Sequence, residues 1–200
     1  MHHAISFQSQ NHQFLVCTPR KKSLKHKLIN VKQGLVLVKL GKIEYAVQAG
    51  QSFWLPFDTL TSLTYTPDTL TNTVEVSSRV SARFPKQGGY VQFNELLTAL
   101  LIRLEGLGDQ RDQQIDLLNV VQSELTTLKP ELKETQYTKQ INQWQAKGES
   151  KLGSELKLVL RVREATKQMQ SGKQRTVVVD DLFDGNDDLF SNLESAILGR

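Results

Sequence analysis

The residue types able to carry out catalysis or hold a metal are few in this chain of 200 residues, and they are scattered. Histidines stand at positions 2, 3, 12 and 26, and the single cysteine is Cys17. A metal centre in a β-rich protein needs clustered imidazoles with a carboxylate. A hydrolytic site needs a nucleophile, a base and an orienting acid within hydrogen-bond reach. All four histidines precede the first strongly apolar segment, so neither a Ser-His-Asp nor a Cys-His set can be assembled. The adjacent carboxylates Asp180 and Asp181 fall in a helical tail and read as solvated. No metal, cofactor or enzymatic activity is expected. One cysteine also excludes an intramolecular disulfide and a cysteine zinc cluster, which suits a reducing compartment.

Charge is the next carrier of chemistry, and it is uneven. Residues 1–90 hold 11 Lys and Arg against 4 Asp and Glu, whereas 91–147 hold 6 against 8 and 148–200 hold 8 against 9. The cluster "RKKSLKHK" (Arg20, Lys21, Lys22, Lys25, Lys27) supplies much of the excess. It reads either as a phosphate contact or as a solvated loop, and no interleaved aromatics mark it for base stacking. At the other end, Thr176–Gly199 contains Asp180, Asp181, Asp184, Asp187, Asp188 and Glu194 without a Lys or Arg.

With 38% hydrophobic and 23% charged residues, the composition is that of an ordinary globular protein able to bury a core. No apolar run has the length of a membrane span, and the polar start "MHHAISFQSQNHQ" lacks a signal-peptide core. A cytoplasmic protein without membrane contact is the expectation.

The elements that position these residues change character near residue 90. "GLVLVKL" and "IEYAVQ" are apolar runs joined by Gly41-Lys42, where glycine supplies the positive φ of a tight hairpin. "QSFWLP", "SLTYT" and "NTVEVSSRVSARF" continue the short-strand pattern. They predict an antiparallel sandwich or barrel with Ile43, Tyr45 and Val47 facing inward and Glu44, Ala46 and Gln48 outward. After Gly88-Gly89 the apolar period becomes helical. "NELLTALLIRLEGL", with Asn94 as N-cap, and "QIDLLNVVQSELTTL" predict an antiparallel helix pair. Its stripes of Leu97, Leu101, Leu104, Leu118, Val121 and Leu125 fit either packing on the β domain or a dimer interface. A short helix around 136–146 and a longer one from Ser154 to Gly172 follow, then an apolar run, a break at Gly185 and a final amphipathic segment. The fold class is α+β: an N-terminal antiparallel β-sandwich followed by an all-α half. The expected units are 1–90, 91–130 and 131–200.

Two stretches resemble AraC-type bacterial transcription regulators. "VLVKLGKIEYAVQAG" with "GQSFWLPFDTLTSLTY" is similar to their cupin-like sensor domain, over roughly residues 30–105. "RVREATKQMQSGKQRTVVVDDLFDGNDDLFSNLESAILG" is similar to their last DNA-binding unit. Arg161, Ala165, Ser171, Gly172, Phe183, Phe190, Ser191 and Gly199 stand where that pattern expects them. The resemblance implies a sensor for a small-molecule effector, a homodimer or a heterodimer with a related regulator, and a C-terminal helix-turn-helix on DNA. The departures are specific. The space before Ser154 is too short for a complete first unit, and the turn around Gly185–Asp188 carries one extra residue. The family's basic slots fall on Asn192, Ser195, Ala196 and Ile197, and an aromatic slot falls on Glu194. In the sensor segment, Thr59 and Thr61 stand where relatives often carry His or Cys.

Within that frame, Val36, Val38, Ile43, Tyr45, Val47, Trp54 and Phe57 are candidate walls of a ligand pocket, or else they fill a small barrel. Arg161, Arg163, Lys167, Lys173 and Arg175 are the candidate phosphate contacts. Two functions follow: a regulator whose acidic last helix grips DNA weakly, or an interaction protein that pairs with an intact relative.

Overall fold

The computed structural model describes residues 4–108 and 110–200, so His2 and His3 lie outside the described residues. Among these residues the chain forms ten strands, then six helices, an α+β architecture. The strands are β1 (Ile5–His12), β2 (Val16–Cys17), β3 (Lys21–Lys22), β4 (Lys25–Gln33), β5 (Leu35–Leu40), β6 (Ile43–Gln48), β7 (Ser52–Leu55), β8 (Leu60–Tyr65), β9 (Thr69–Ser77) and β10 (Gly89–Val91). The helices are α1 (Glu95–Leu107), α2 (Arg111–Leu125), α3 (Gln136–Gln143), α4 (Ser154–Gln170), α5 (Arg175–Phe183) and α6 (Asp187–Leu198).

The strands build two antiparallel sheets, in the orders β1-β9-β4-β7-β10 and β2-β8-β5-β6, with β3 also paired to β8. Alternation along each strand assigns its two faces. Ile29, Val31, Phe53, Leu55 and Tyr90 of the first sheet meet Val36, Val38, Tyr45, Val47, Leu63 and Tyr65 of the second. Each such side chain taken fully out of water contributes about 1.5–3 kcal/mol. The β5–β6 hairpin turns on Gly41 at φ 60°, with Leu40 opposite Ile43, as the sequence predicts.

Neither sheet leaves its outer face bare. Leu28, Trp54, Val74 and Val76 of the five-stranded sheet pack against Leu97, Leu104, Val121 and Leu125 of α1 and α2. Leu35, Leu37 and Ala46 of the other sheet pack against Ile141, Leu152 and Leu160. The stripes Leu97, Leu101, Leu104 and Leu118, Val121, Leu125 are therefore buried within the chain, while Leu96, Ile102, Ile115 and Val120 face outward. Asn94 caps α1, its Oδ1 accepting from the Leu97 N–H at 2.8 Å. At α4 the cap position falls on Gly153, and Ser154 is the first helical residue.

Strand β6 lies at the edge of its sheet, where backbone groups would ordinarily face water. Here side chains satisfy them. The Glu44 N–H donates to Asn142 Oδ1 at 2.9 Å, the Ala46 N–H to Thr138 Oγ1 at 3.1 Å and the Gln48 N–H to Gln51 Oε1 at 2.9 Å. Asn142 Nδ2 donates to the Glu44 carbonyl at 2.9 Å, and the Tyr90 hydroxyl to the Ala46 carbonyl at 2.8 Å. Thr138 and Asn142 are one helical turn apart, so a single face of α3 closes the edge.

The sequence pattern missed β1 and β4 because both are largely polar. The basic cluster lies on β3 and β4 and the turns beside them, and it is mostly paired. Lys22 bridges Asp58 at 3.0 Å, and Lys25 and Lys27 bridge Glu75 at 2.8 and 2.9 Å. Desolvation opposes ionisation of Glu75, but the two lysines outweigh it and hold its carboxyl below the ordinary range. His26 on β4 stacks on Trp54 with ring centres 5.6 Å apart and packs on Phe84. Its Nδ1 accepts the Phe57 N–H at 3.1 Å, which requires the neutral ring.

Two outcomes follow from these contacts. Thr138→Val keeps the shape but strips the Ala46 N–H of its acceptor, so urea unfolding should show a loss of about 1–3 kcal/mol with an unchanged slope. Burial lowers the pKa of His26 and His12 from the ordinary 6.5, so the unfolded chain binds more protons than the folded one as pH falls past that value. Melting temperature should therefore drop between about pH 7 and pH 5 and level off below the folded-state pKa values. His26→Phe should make that slope shallower; an unaltered slope would place its origin elsewhere.

Candidate functional site

Helices α4, α5 and α6 form a three-helix unit with a core of its own. Val159, Val162 and Ala165 on one face of α4 meet Val178, Val179, Leu182, Phe183, Phe190 and Ile197. The rings of Phe183 and Phe190 lie 4.6 Å apart and hold α5 against α6. Between them the backbone reverses at Asp184, which is left-handed at φ 54°, and Gly185, at φ 77°. Asn186 then restarts the chain as a helix, its Oδ1 accepting from the Leu189 N–H at 2.8 Å. This is helix-turn-helix connectivity. Asp187 and Asp188 occupy the first turn of α6, where they complement the helix dipole.

The cations around this unit are largely engaged within the chain. Arg175 Nε donates to Asp187 Oδ1 at 2.8 Å, Nη1 to Glu194, and Nη2 to Ser191 Oγ at 2.9 Å. Its guanidinium carbon sits 4.5 Å above the centre of the Phe190 ring. Arg163 makes a two-pronged ion pair with Glu44 on β6, at 3.1 and 3.0 Å. That pair is largely screened from water, with the side chains 22% and 18% exposed. Arg161 is partly buried, and its Nη2 reaches the Ala146 carbonyl at 3.5 Å. Lys167 lies 3.7 Å from Glu164, and Lys173 donates to Gln168 at 3.1 Å. Lys147 bridges Asp181 at 2.7 Å and, chiefly through that hydrogen bond, lowers the aspartate's pKa. Of the five sequence-assigned cations, only Lys167 and Lys173 project from the unit without holding two elements together.

The sandwich interior receives Val36, Val38, Tyr45 and Val47, with Ile43 at its margin. Trp54 and Phe57 do not belong to that set. Trp54 points from the opposite face of the sheet into the layer beneath α1 and α2, and its Nε1 donates to the Pro85 carbonyl at 3.0 Å. Phe57 is exposed. The pleat requires the exchange: Phe53 and Leu55 share one face, whereas Ser52 and Trp54 share the other. The interior takes the wholly apolar pair. That signal was present in "SFWL", since adjacent residues cannot both point inward. Tyr65, which lies against His12 with ring centres 3.9 Å apart, has its hydroxyl pKa pushed up to about 12 by burial and secondarily by the charge of Glu75. The inward residues of the two sheets pack together as one apolar cluster.

Sequence reasoning also missed Glu44 and the α3 face of Thr138 and Asn142. Nothing local in "IEYAVQ" distinguishes a solvent-facing glutamate from one gripped by a residue 119 positions away. Among the described residues there is no group of three or more His, Cys, Asp or Glu able to hold a metal, and no helix is long and apolar enough to cross a membrane.

No protein-family model matches the chain, and the comparison with curated proteins finds no match. Solved structures similar to it include apo ToxT from Vibrio cholerae, with 9% identity, a TM-score of 0.45, and 100% of this chain and 95% of that one covered. ToxT from the same organism bound to a methylnaphthalenyl butenoic acid gives 9% identity and a TM-score of 0.39, covering 98% of this chain and 95% of that one. A cupin superfamily protein from Desulfitobacterium hafniense gives 5% identity and a TM-score of 0.36, covering 39% of this chain and 72% of that one.

Proposed function

We propose that this chain is a transcription regulator of the AraC type, with a cupin-like sandwich as its sensing or dimerising part and one helix-turn-helix as its DNA-facing part. The observation that carries the reading is the α4–α5–α6 unit, with its left-handed Asp184-Gly185 turn and its own apolar core. Its grip on DNA is weak. Six carboxylates lie between Thr176 and Gly199, and Arg175 is neutralised by two of them. Repulsion between like charges at a close contact costs up to several kcal/mol. The same observation supports a second reading, an interaction protein that pairs with an intact relative. The outward Leu96 and Ile102 of α1, with Ile115 and Val120 of α2, are the surface offered to a second copy or to such a relative.

Fluorescence anisotropy on duplex DNA from its own upstream region separates the readings. Micromolar or weaker binding is expected, with a slope of log K against log salt far shallower than the roughly −0.9 per phosphate of a protein that neutralises many. Replacing Asp187 and Asp188 by Asn releases part of the clamp on Arg175 and should tighten binding measurably. If neither protein binds, the interaction reading stands in place of the regulator; nanomolar sequence-specific binding by the native chain overturns the weak grip. Light scattering at low micromolar concentration tests the helix-pair surface. A dimer that Ile102→Glu or Ile115→Glu converts to monomer is expected, and a native species near 22.6 kDa contradicts it.

A further inference from the structure

The positive charge of the β domain is gathered at one end of the sandwich. Register brings the starts of β4 and β10 together with the ends of β7 and β9, since Lys25 stands opposite Ser77, Lys27 opposite Leu55 and Gly89 opposite Trp54. The turn after β7 leads into β8 at the same end, where Lys21 and Leu40 both stand opposite Thr61. Of the eleven Lys and Arg in residues 1–90, only Lys32 lies elsewhere. Beside the cluster around Lys21, this end holds Lys39 and Lys42 of the β5–β6 hairpin and Arg79, Arg83 and Lys86 of the β9–β10 connection. The β domain sets three carboxylates here, and each is already held: Glu44 by Arg163, Asp58 by Lys22, and Glu75 by Lys25 and Lys27. Arg20, Lys21, Lys42, Arg79, Arg83 and Lys86 are exposed, and no carboxylate of the described residues pairs with them.

Apolar side chains protrude among these cations. Leu24, between Lys22 and Lys25, is 77% exposed, the most of any large hydrophobic residue among those described. Phe57 and Leu60, at the β7–β8 turn, are 44% and 46% exposed. The two turns are stitched together. The Ser23 N–H donates to the Thr59 carbonyl at 2.9 Å, and the Asp58 N–H to the Ser23 carbonyl at 2.8 Å. Arg20 Nη2 donates to the Gly41 carbonyl at 3.2 Å, which ties in the β5–β6 hairpin. An apolar patch rimmed by charge and held out on fixed turns marks a contact surface.

We propose that this end of the sandwich docks on the surface of an anionic lipid bilayer, with Leu24 inserted below the headgroups and the unpaired lysines and arginines on the phosphates. Such a surface offers both halves of the match, negative charge and an apolar layer just beneath it. The two together give an adhesion that neither supplies alone. A nucleic-acid backbone offers the charge but nothing apolar to receive Leu24 and Leu60. A surface contact needs no spanning helix, so it departs from the expectation of no membrane contact drawn from the lengths of apolar runs. It is independent of the DNA-facing reading, because every residue assigned to it precedes α1.

Co-sedimentation of the full-length chain with lipid vesicles tests this. Vesicles of phosphatidylcholine with about one-third phosphatidylglycerol should carry the chain down, and vesicles of phosphatidylcholine alone should not. Raising the salt to about 0.5 M should weaken the binding severalfold. Lys21→Glu combined with Lys42→Glu should reduce the partition more than tenfold, at about fivefold per charge. Leu24→Ser should reduce it about tenfold. All three positions are exposed, so both variants should melt as the native chain does. The inference is overturned if anionic vesicles leave the chain in solution, if neutral vesicles bind it equally, or if either variant partitions like the native chain. Loss of duplex-DNA binding in the double variant, with vesicles unbound, would assign this end to nucleic acid and likewise overturn it.

Discussion

The outer edge of β6 is the constraint on which the rest of this architecture depends. An antiparallel sheet must end somewhere, and an exposed edge invites pairing with another chain. Here the edge ends on helix side chains. Thr138 and Asn142 take the backbone of Ala46 and Glu44, and Tyr90, from the opposite sheet, takes the remaining carbonyl. Once that edge is closed, α3 has one allowed position, and the apolar face of Leu35, Leu37 and Ala46 is covered by the helices that follow. Buried backbone groups left unpaired would each cost about 1–3 kcal/mol, comparable to a sizeable share of the stability of a domain this size.

The same strand then fixes the C-terminal unit. Glu44 points away from the sandwich interior, and Arg163 on α4 grips it with two nitrogens. At the other end of the unit, the Leu15 N–H donates to the Ile197 carbonyl at 2.7 Å. The helix-turn-helix is thus docked on the β domain at both ends. This has a direct consequence for electrostatics. The guanidinium of Arg163 is spent on architecture and that of Arg175 on holding α5 to α6, so little positive charge remains to meet a phosphate. Arg163 and Arg175 are thus engaged by carboxylates of the chain itself.

The legibility of the sequence divides along physical lines. The β5–β6 hairpin, the Asn94 cap and the change of period after Gly88-Gly89 were readable because glycine, a capping side chain and apolar spacing are local signals. Strands β1 and β4 were not readable, since "ISFQSQNH" and "KHKLINVKQ" derive their strand character from pairing with β9. Trp54 stands among the candidate pocket walls, and the pleat places Phe53 in the interior in its stead. The helix-pair leucines were legible as a stripe but not as to their partner, which proves to be the sheet. The candidate cations were found by type, yet what the three arginines touch lies 12 to 119 residues away, beyond any local pattern.

Hydrogen exchange at the Glu44 and Ala46 amides tests the closed edge most directly. Both point away from β5 and have no strand partner, so their protection depends on α3 alone. The account predicts that they exchange only through global opening, with the same free energy as amides at the centre of β4. Exchange of Glu44 and Ala46 at the rate of solvent-exposed amides, while β4 stays protected, would contradict it.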